Sequence, residues 1–242
     1  MELIKLLNQR NKIAILIDPE KCHSSYQIEQ LVDKIHFSNA DFVFIGGSTV
    51  SEKEFESSIS ILKEKLKIPL IIFPGSSNQV SDKADGILLL NLISGRNPDY
   101  LIGHHVQAAQ KIAESGLEVI STSYLLIDGG TNSSVAYVSQ TTPIPHHQTS
   151  IAYQTALAGK QIGHKAIFLE AGSGAINSVP LETIRVISEL CLPLIVGGGV
   201  KSSDQIIQMH RAGANVVVIG NKIEEDVDFL LDVRSVKENL LK

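Results

Sequence analysis

Cysteine is scarce in this sequence, with Cys22 and Cys191 the only two among 242 residues. Two cysteines this far apart do not form the disulfide framework of a small secreted domain, so we expect a reducing, cytoplasmic location. The first residues lack the apolar run of a signal peptide. No apolar stretch approaches the roughly 20 residues that span a bilayer, so any membrane contact, for example during product release, is expected to be peripheral.

An excess of basic residues is also absent, because the net charge is −5. This balance gives no reason to expect nucleic-acid binding, which usually needs a clustered basic surface. Hydrophobic residues make up 43% of the chain and charged residues 19%, a composition typical of a globular protein with a large core. The length fits one α/β barrel of about 250 residues.

Strand-like and helix-like stretches alternate along the whole chain, which predicts a parallel sheet covered by helices. Eight strands without a linker or low-complexity segment predict a single domain over residues 1–242, with the fold of a (β/α)8 barrel. The predicted strands are residues 13–17, 41–45, 69–73, 86–90, 118–127, 166–169, 194–196 and 215–219.

Two stretches depart from simple alternation. Residues 74–81 are polar and rich in turn formers, which predicts that the third helix is short or missing and that a long apolar ligand could lie in the gap. After the fifth strand, the turn signal Asp128-Gly129-Gly130 precedes the apolar residues 135–138, which predicts a hairpin insertion. Single helices are predicted over residues 98–115 and 223–241.

Glycine-rich turns follow the last two strands, at Gly197-Gly198-Gly199 and at Gly220-Asn221. Consecutive glycines let backbone N–H groups approach a ligand closely, and a following helix adds the partial positive charge of its N-terminus. In (β/α)8 barrels a phosphate site is frequently built from the loops after strands seven and eight. The paired turns therefore predict a phosphate site, with a purely structural turn as the alternative.

Polar residues at three other strand ends complete a candidate site. Asp18 follows the first strand and Ser48 the second, and a carboxylate with a hydroxyl near a substrate phosphate predicts a Mg²⁺ site; the alternative for Asp18 is a helix cap. Glu170 ends the sixth strand, where partial burial would raise its proton affinity, as suits a general base. The alternative for Glu170 is a structural carboxylate that accepts backbone N–H groups.

The eight histidines are expected to be surface or structural residues. The adjacent pairs at 104–105 and 146–147 point in different directions on a helix, and no cysteine or glutamate stands at zinc-ligand spacing. Cys22 has no evident paired base, which argues against a nucleophilic role.

Seven motifs spread in order over nearly the whole chain resemble one family, the geranylgeranylglyceryl phosphate synthases and their bacterial relatives, the heptaprenylglyceryl phosphate synthases. They are LIDPEK (16–21), GGS (46–48), YLLIDGG (124–130), PIP (143–145), FLEAGSG (168–174), VGGGV (196–200) and IGN (219–221). The form EAGSG at 170–174 resembles the archaeal-type second group of the family.

The resemblance implies a modified (β/α)8 barrel that transfers a prenyl group, expected to be geranylgeranyl, from a prenyl diphosphate to the primary hydroxyl of sn-glycerol 1-phosphate. It also implies Mg²⁺ at Asp18 and Ser48, with Asp18 and Glu170 as catalytic residues, and a homo-oligomer, either a dimer or a hexamer. The implied glycerol phosphate contacts are Phe168, Leu169, Glu170, Ala171, Gly172, Ser173, Gly174, Gly198, Gly199, Gly220 and Asn221.

Two positions depart from the family pattern. Phe168 stands where the family usually has tyrosine, so a hydroxyl contact to substrate is expected to be missing. Leu16 stands where some members have lysine, and Lys12, Lys21 and Lys201 are the alternatives for neutralising phosphate.

Two other functions remain open at this point. A phosphosugar isomerase or aldolase could share the terminal phosphate loops, although no inward lysine stands out at a strand end. The second alternative is a phosphate-binding barrel that has lost catalysis, and the phenylalanine at position 168 is the feature that suggests it.

Overall fold

Eight parallel strands close into a barrel in which each strand pairs with the next in sequence and the last pairs with the first. The computed structural model describes residues 2–21 and 25–240. The strands are β1 Lys12–Ile17, β2 Phe42–Ile45, β3 Leu70–Ile72, β4 Gly86–Asn91, β5 Glu118–Leu126, β6 Ala166–Glu170, β7 Leu194–Gly197 and β8 Val216–Ile219. The predicted (β/α)8 barrel is therefore confirmed.

Helices cover the outside of the barrel. They are α1 Leu3–Leu7, α2 Ser25–Ser38, α3 Glu52–Lys65, α4 His104–Ser115, α5 Ser134–Ser139, α6 Thr149–Gln161, α7 Leu181–Ser188, α8 Ser203–Ala212, α9 Asn221–Glu225 and α10 Phe229–Leu240. Within residues 2–21 and 25–240, none of these helices combines the length and apolar character that crossing a membrane requires.

The apolar strands form because both of their faces are buried. On β1, Ile13, Ile15 and Ile17 pack outward against the helices, whereas Ala14 joins a second cluster inside the barrel. This is the period of two that a strand imposes on its side chains. Because the two layers enclose the strands, the polar residues gather where the strands end.

Helix α1 was not predicted, and it closes the end of the barrel at which the strands begin. Its Leu3 and Leu7 side chains pack into the interior cluster. The backbone N–H groups of Leu3 and Ile4 donate to the Glu118 carboxylate over 2.6 and 2.9 Å. One end of the barrel is thereby plugged, which leaves the carboxyl ends of the strands as the open face.

The third barrel helix is missing, as predicted, because residues 73–85 connect β3 to β4 through turns. Gln79 holds this connection in place. Its side-chain amide donates to the Gly47 carbonyl over 2.8 Å and accepts the Gly75 N–H over 3.0 Å. The gap therefore has a defined shape, tied to the loop that follows β2.

The predicted hairpin after β5 is wrong, because residues 134–139 form helix α5. Ser133 caps this helix by accepting the Ala136 N–H, and the Ser139 hydroxyl donates to the Val135 carbonyl. The consecutive residues Val135 and Ala136 both pack against the interior cluster, whereas Tyr137 is 86% exposed, so burial does not alternate from residue to residue as it would in a strand. Strand-like pairing after β5 comes instead from Ile144, which bridges to Ile127.

The predicted helix over residues 223–241 is interrupted between α9 and α10, and Leu241 lies outside the described residues. The Asp226 carboxylate accepts the Asp228 N–H over 3.1 Å, a local turn that competes with the helix. The predicted helix over 98–115 is confirmed, with a wide π-turn over Asp99–Gly103 at its start.

Candidate functional site

The carboxyl ends of the strands surround one cavity of about 470 Å³. It brings together most of the residues that the sequence singled out, although they come from opposite halves of the chain. The predicted site residues that line it are Asp18, Ser48, Glu170, Ser173, Gly174, Gly198, Gly199, Gly220 and Asn221.

Glu170 lies in the cavity wall at the end of β6 and is only 8% exposed. Its Oε1 atom accepts the Gly172 N–H over 2.7 Å. Burial raises the pKa of the Glu170 carboxyl to about 7, and the hydrogen bond from Gly172 opposes this shift. A carboxyl that titrates near neutrality can accept a proton from a bound alcohol, which is the chemistry of a general base.

The glycine turn after β7 lies directly against Glu170. Gly198 and Gly199 have φ angles of +81° and +67°, which are strained for any other residue. In the described part of the chain, the N–H groups of Gly198, Gly199 and Asn221 donate to no protein acceptor. These donors at the cavity wall can bind the oxygens of an anion.

Helix α8, which follows this turn, caps its own first turn. Ser202 accepts the Gln205 N–H, and the Gln205 side chain accepts the N–H groups of Lys201 and Ser202. The N–H groups available to an anion therefore come from the glycine turn, while the helix contributes the field of its N-terminus.

Asn221 links the loops after β6 and β8 across the glycine turn. Its Oδ1 accepts the Gly174 N–H and the Ser173 hydroxyl, each over 3.1 Å. Asn221 also donates to Glu224 over 3.2 Å. This amide bridge holds the two loops together at the mouth of the cavity.

Four other residues predicted to contact substrate have supporting positions. Leu169 and Ala171 pack outward in the layer between barrel and helices, and Gly172 supplies its N–H to Glu170. Phe168 is fully buried inside the barrel, with its ring centroid 5.1 Å from that of Phe73.

Asp18 and Ser48 line the same cavity from the loops after β1 and β2. Asp18 Oδ1 accepts the Glu20 N–H over 3.1 Å, and a Cβ atom at Gly47 would stand 2.7 Å from this oxygen. The glycine thus makes the space in which the carboxylate lies. No group of three or more His, Cys, Asp or Glu side chains in residues 2–21 and 25–240 is placed to hold a metal.

The structure separates the lysines that the sequence left as alternatives. Lys12 lies at the closed end of the barrel, in an ion pair with Asp41 at 2.9 Å. The prediction that Lys12 could neutralise phosphate is therefore wrong. Lys201 lines the cavity, as does Lys222, which the sequence analysis missed. The side chain of Lys21 and all of Cys22 lie outside the described residues.

An apolar arm extends the cavity over the ends of β3 and β4 into the gap left by the missing helix. His104 and His105, which were expected to be surface or structural residues, line this arm. The arm is lined by Phe73, Val80, Ile87, Leu89, Leu90, Leu92, Tyr100, His104, His105, Ala108 and Ile112. Nothing in the local sequence marks these residues, because barrel and α4 side chains become neighbours only on folding.

Comparison with known proteins gives one consistent result. Residues 6–239 match the PcrB family. The chain is 47% identical over 223 residues to a geranylgeranylglyceryl phosphate synthase of Flavobacterium johnsoniae, covering 92% of this chain and 91% of the relative. The corresponding enzyme of Zunongwangia profunda is 45% identical over 216 residues, covering 88% and 90%.

A crystal structure matches along almost the whole chain. It is the (S)-3-O-geranylgeranylglyceryl phosphate synthase of Thermoplasma acidophilum in complex with its substrate sn-glycerol-1-phosphate. The two structures superpose with a TM-score of 0.91 at 29% sequence identity, and the match covers 98% of each chain.

Proposed function

The chain belongs to the PcrB family, and we propose that it is a prenyltransferase that joins a prenyl diphosphate to the primary hydroxyl of sn-glycerol 1-phosphate. The observation that carries the proposal is one cavity in which a buried carboxyl, free N–H groups and an apolar arm meet. These three features match the reacting alcohol, the phosphate and the hydrocarbon chain of the two substrates.

The glycerol phosphate is assigned to the side of the cavity formed by β6, β7 and β8. Its phosphate oxygens would accept hydrogen bonds from the N–H groups of Gly198, Gly199 and Asn221. Lys201 and Lys222 lie at the same wall of the cavity. This places the glycerol hydroxyls towards Glu170, which lies against the Gly198 turn. Fixing the phosphate in this way orients the alcohol for reaction.

Glu170 then accepts the proton of the primary hydroxyl. The hydroxyl oxygen forms a bond to the first carbon of the prenyl chain, and the bond between that carbon and the diphosphate breaks. Both electrons of the broken bond leave with the diphosphate. The products are an ether-linked prenylglyceryl phosphate, diphosphate and a proton that Glu170 releases to solvent.

Asp18 and Ser48 fit a Mg²⁺ ion by the chemistry of their donors, which are all oxygen. Mg²⁺ usually takes one or two protein carboxylates and completes its shell with water and substrate phosphates. What the ion supplies when bound is neutralisation of the charge that grows on the departing diphosphate. Asp18 and Ser48 would hold it at the carboxyl ends of β1 and β2.

Asp18→Asn is expected to lower the transfer rate about 100-fold, because the amide removes the negative charge that attracts the cation. Calorimetric titration with Mg²⁺ in the presence of inorganic diphosphate should show weaker ion binding in the variant. Asp204→Asn, an exposed position on α8, is the control. Unchanged Mg²⁺ affinity and rate in Asp18→Asn would remove Asp18 from this role.

The apolar arm is assigned to the prenyl chain. Burying hydrocarbon contributes about 0.8 kcal/mol per CH₂, so this arm can supply much of the affinity for a long chain. We propose geranylgeranyl as the transferred group because the relatives carry that activity in their names.

Incubation with radiolabelled sn-glycerol 1-phosphate and prenyl diphosphates of several lengths tests the function. Formation of labelled lipid is the expected result, with the highest kcat/KM for the 20-carbon donor. Glycerol phosphate binding without turnover would favour a non-catalytic barrel. Conversion of phosphosugars instead would favour an isomerase or aldolase. Cytoplasmic location, homo-oligomerisation and peripheral membrane contact stay predictions.

The pH dependence should report the Glu170 carboxyl. Because the base acts when deprotonated, kcat/KM for glycerol phosphate is expected to rise with pH and level off above about 7, the raised pKa of Glu170. The substrate phosphate itself titrates near 6. The infrared band of the protonated carboxyl in the free protein should therefore titrate near 7 in the wild type and be absent from Glu170→Gln. A titration near 4.5 would contradict this assignment.

A further inference from the structure

Tyr124 is a phenol inside the barrel that the mechanism above does not use. It lies on β5 in register with Phe168 on β6 and is 6% exposed. Its ring centroid is 5.5 Å from that of Phe168 and 6.0 Å from that of Phe73. These contacts hold the ring in one orientation at the floor of the cavity, which Tyr124 lines together with Glu170.

The Tyr124 hydroxyl makes no hydrogen bond to any group in the described residues. It is also not one of the unpaired side-chain atoms that are fully enclosed there, so its oxygen opens onto the cavity. A buried hydroxyl is costly to leave without a partner. A molecule bound in the cavity is therefore the partner that the geometry leaves available.

The phenol stays neutral under all ordinary conditions. Burial, and secondarily the charge of Glu170, raise the pKa of Tyr124 well above its usual value. A neutral phenol both donates and accepts a hydrogen bond, as an alcohol partner requires. It does not compete with Glu170 as the proton acceptor.

The position of Tyr124 relative to Glu170 indicates which group of the acceptor substrate the Tyr124 hydroxyl contacts. Leu126 pairs with Glu170 across β5 and β6, so Tyr124 lies two residues earlier on the same strand face and deeper in the barrel. With the phosphate at the glycine turn and the primary hydroxyl at Glu170, one polar group of the acceptor remains, its secondary hydroxyl.

We propose that the Tyr124 hydroxyl binds the secondary hydroxyl of glycerol phosphate and thereby selects the acceptor alcohol. This inference rests on the proposed function. The neighbouring Phe168 offers no such group, because Tyr124 is the only phenol among the three packed rings. A site built to hydrogen-bond a substrate hydroxyl discriminates strongly against an analogue that lacks it.

The test compares two acceptors, sn-glycerol 1-phosphate and 3-hydroxypropyl phosphate, which lacks the secondary hydroxyl. The wild type should prefer glycerol phosphate about 100-fold in kcat/KM. Tyr124→Phe should lose about 30-fold with glycerol phosphate and less than about 3-fold with the analogue, since the lost contact exists for only one of them. Tyr153→Phe, which removes a half-buried phenol outside the cavity, should match the wild type with both.

The proposal would be overturned if a folded Tyr124→Phe protein lost the same factor in kcat/KM with both acceptors, or lost activity with neither. Failure of the proposed function has a different signature, namely a wild type that transfers no prenyl group to either acceptor. In that case calorimetry measures whether the Tyr124 hydroxyl contributes to the binding of sn-glycerol 1-phosphate. About 10-fold weaker binding to Tyr124→Phe supports it, and equal binding overturns it.

Discussion

Glu170→Gln should slow prenyl transfer about 1000-fold, within the range that a positioned general base contributes. The amide keeps the shape of the carboxyl and can still accept the Gly172 N–H, but it has no site for the proton of the attacking alcohol. Single-turnover measurement with saturating glycerol phosphate reports this step directly. A rate within about 10-fold of the wild type would show that Glu170 orients the substrate without accepting its proton.

The stability of the same variant is the control for its fold. The pKa of Glu170 is raised from the ordinary 4.5 to about 7, so the folded state favours the protonated form. The stability from this carboxyl is fully present below about 4.5 and is lost as the pH rises through about 7, a change of about 3 kcal/mol. Glutamine does not titrate. Urea unfolding should therefore show that the free energy of unfolding of Glu170→Gln increases relative to that of the wild type between pH 5 and pH 8.

Gly198→Ala should lower transfer about 1000-fold and destabilise the fold by about 3 kcal/mol. A Cβ atom at this position would overlap Glu170 Oε1 and stand 2.7 Å from the backbone nitrogens of Ala171 and Gly172. These nitrogens follow directly after β6 and are held by hydrogen bonds to the Gly197 carbonyl and the Glu170 carboxylate, so we expect the turn itself to move. The base and the phosphate donors would then be displaced together, which the rate and a urea titration both measure.

Gly116→Ala is the matched control for this substitution. Gly116 has a similar φ of +71°, but a Cβ there meets nothing within 4 Å, and the residue follows α4 at the other end of the barrel. It should cost about 1 kcal/mol from backbone strain alone and leave transfer unchanged. If Gly198→Ala behaved like this control, the close packing of the turn against Glu170 would not matter for catalysis.

Much of the fold follows from local patterns. The eight apolar strands, the absent third helix and the glycine turns after β7 and β8 are each specified by residues that are neighbours in the chain. Residues 135–138 show where this fails. The sequence Val-Ala-Tyr-Val suits either a strand or a helix, and the cap from Ser133 together with packing against the barrel decides for α5.

The sequence by itself determined which strands end in polar residues and glycines, because alternation and turn chemistry are local properties. Only the tertiary structure decided that Lys201 faces the cavity while Lys12 lies at the closed end. It also decided that burial raises the pKa of Glu170 to about 7 and that Tyr124 lies deeper in the barrel than Glu170. The physical reason is barrel closure: it brings residues from opposite halves of the chain together and sets how much water each one retains.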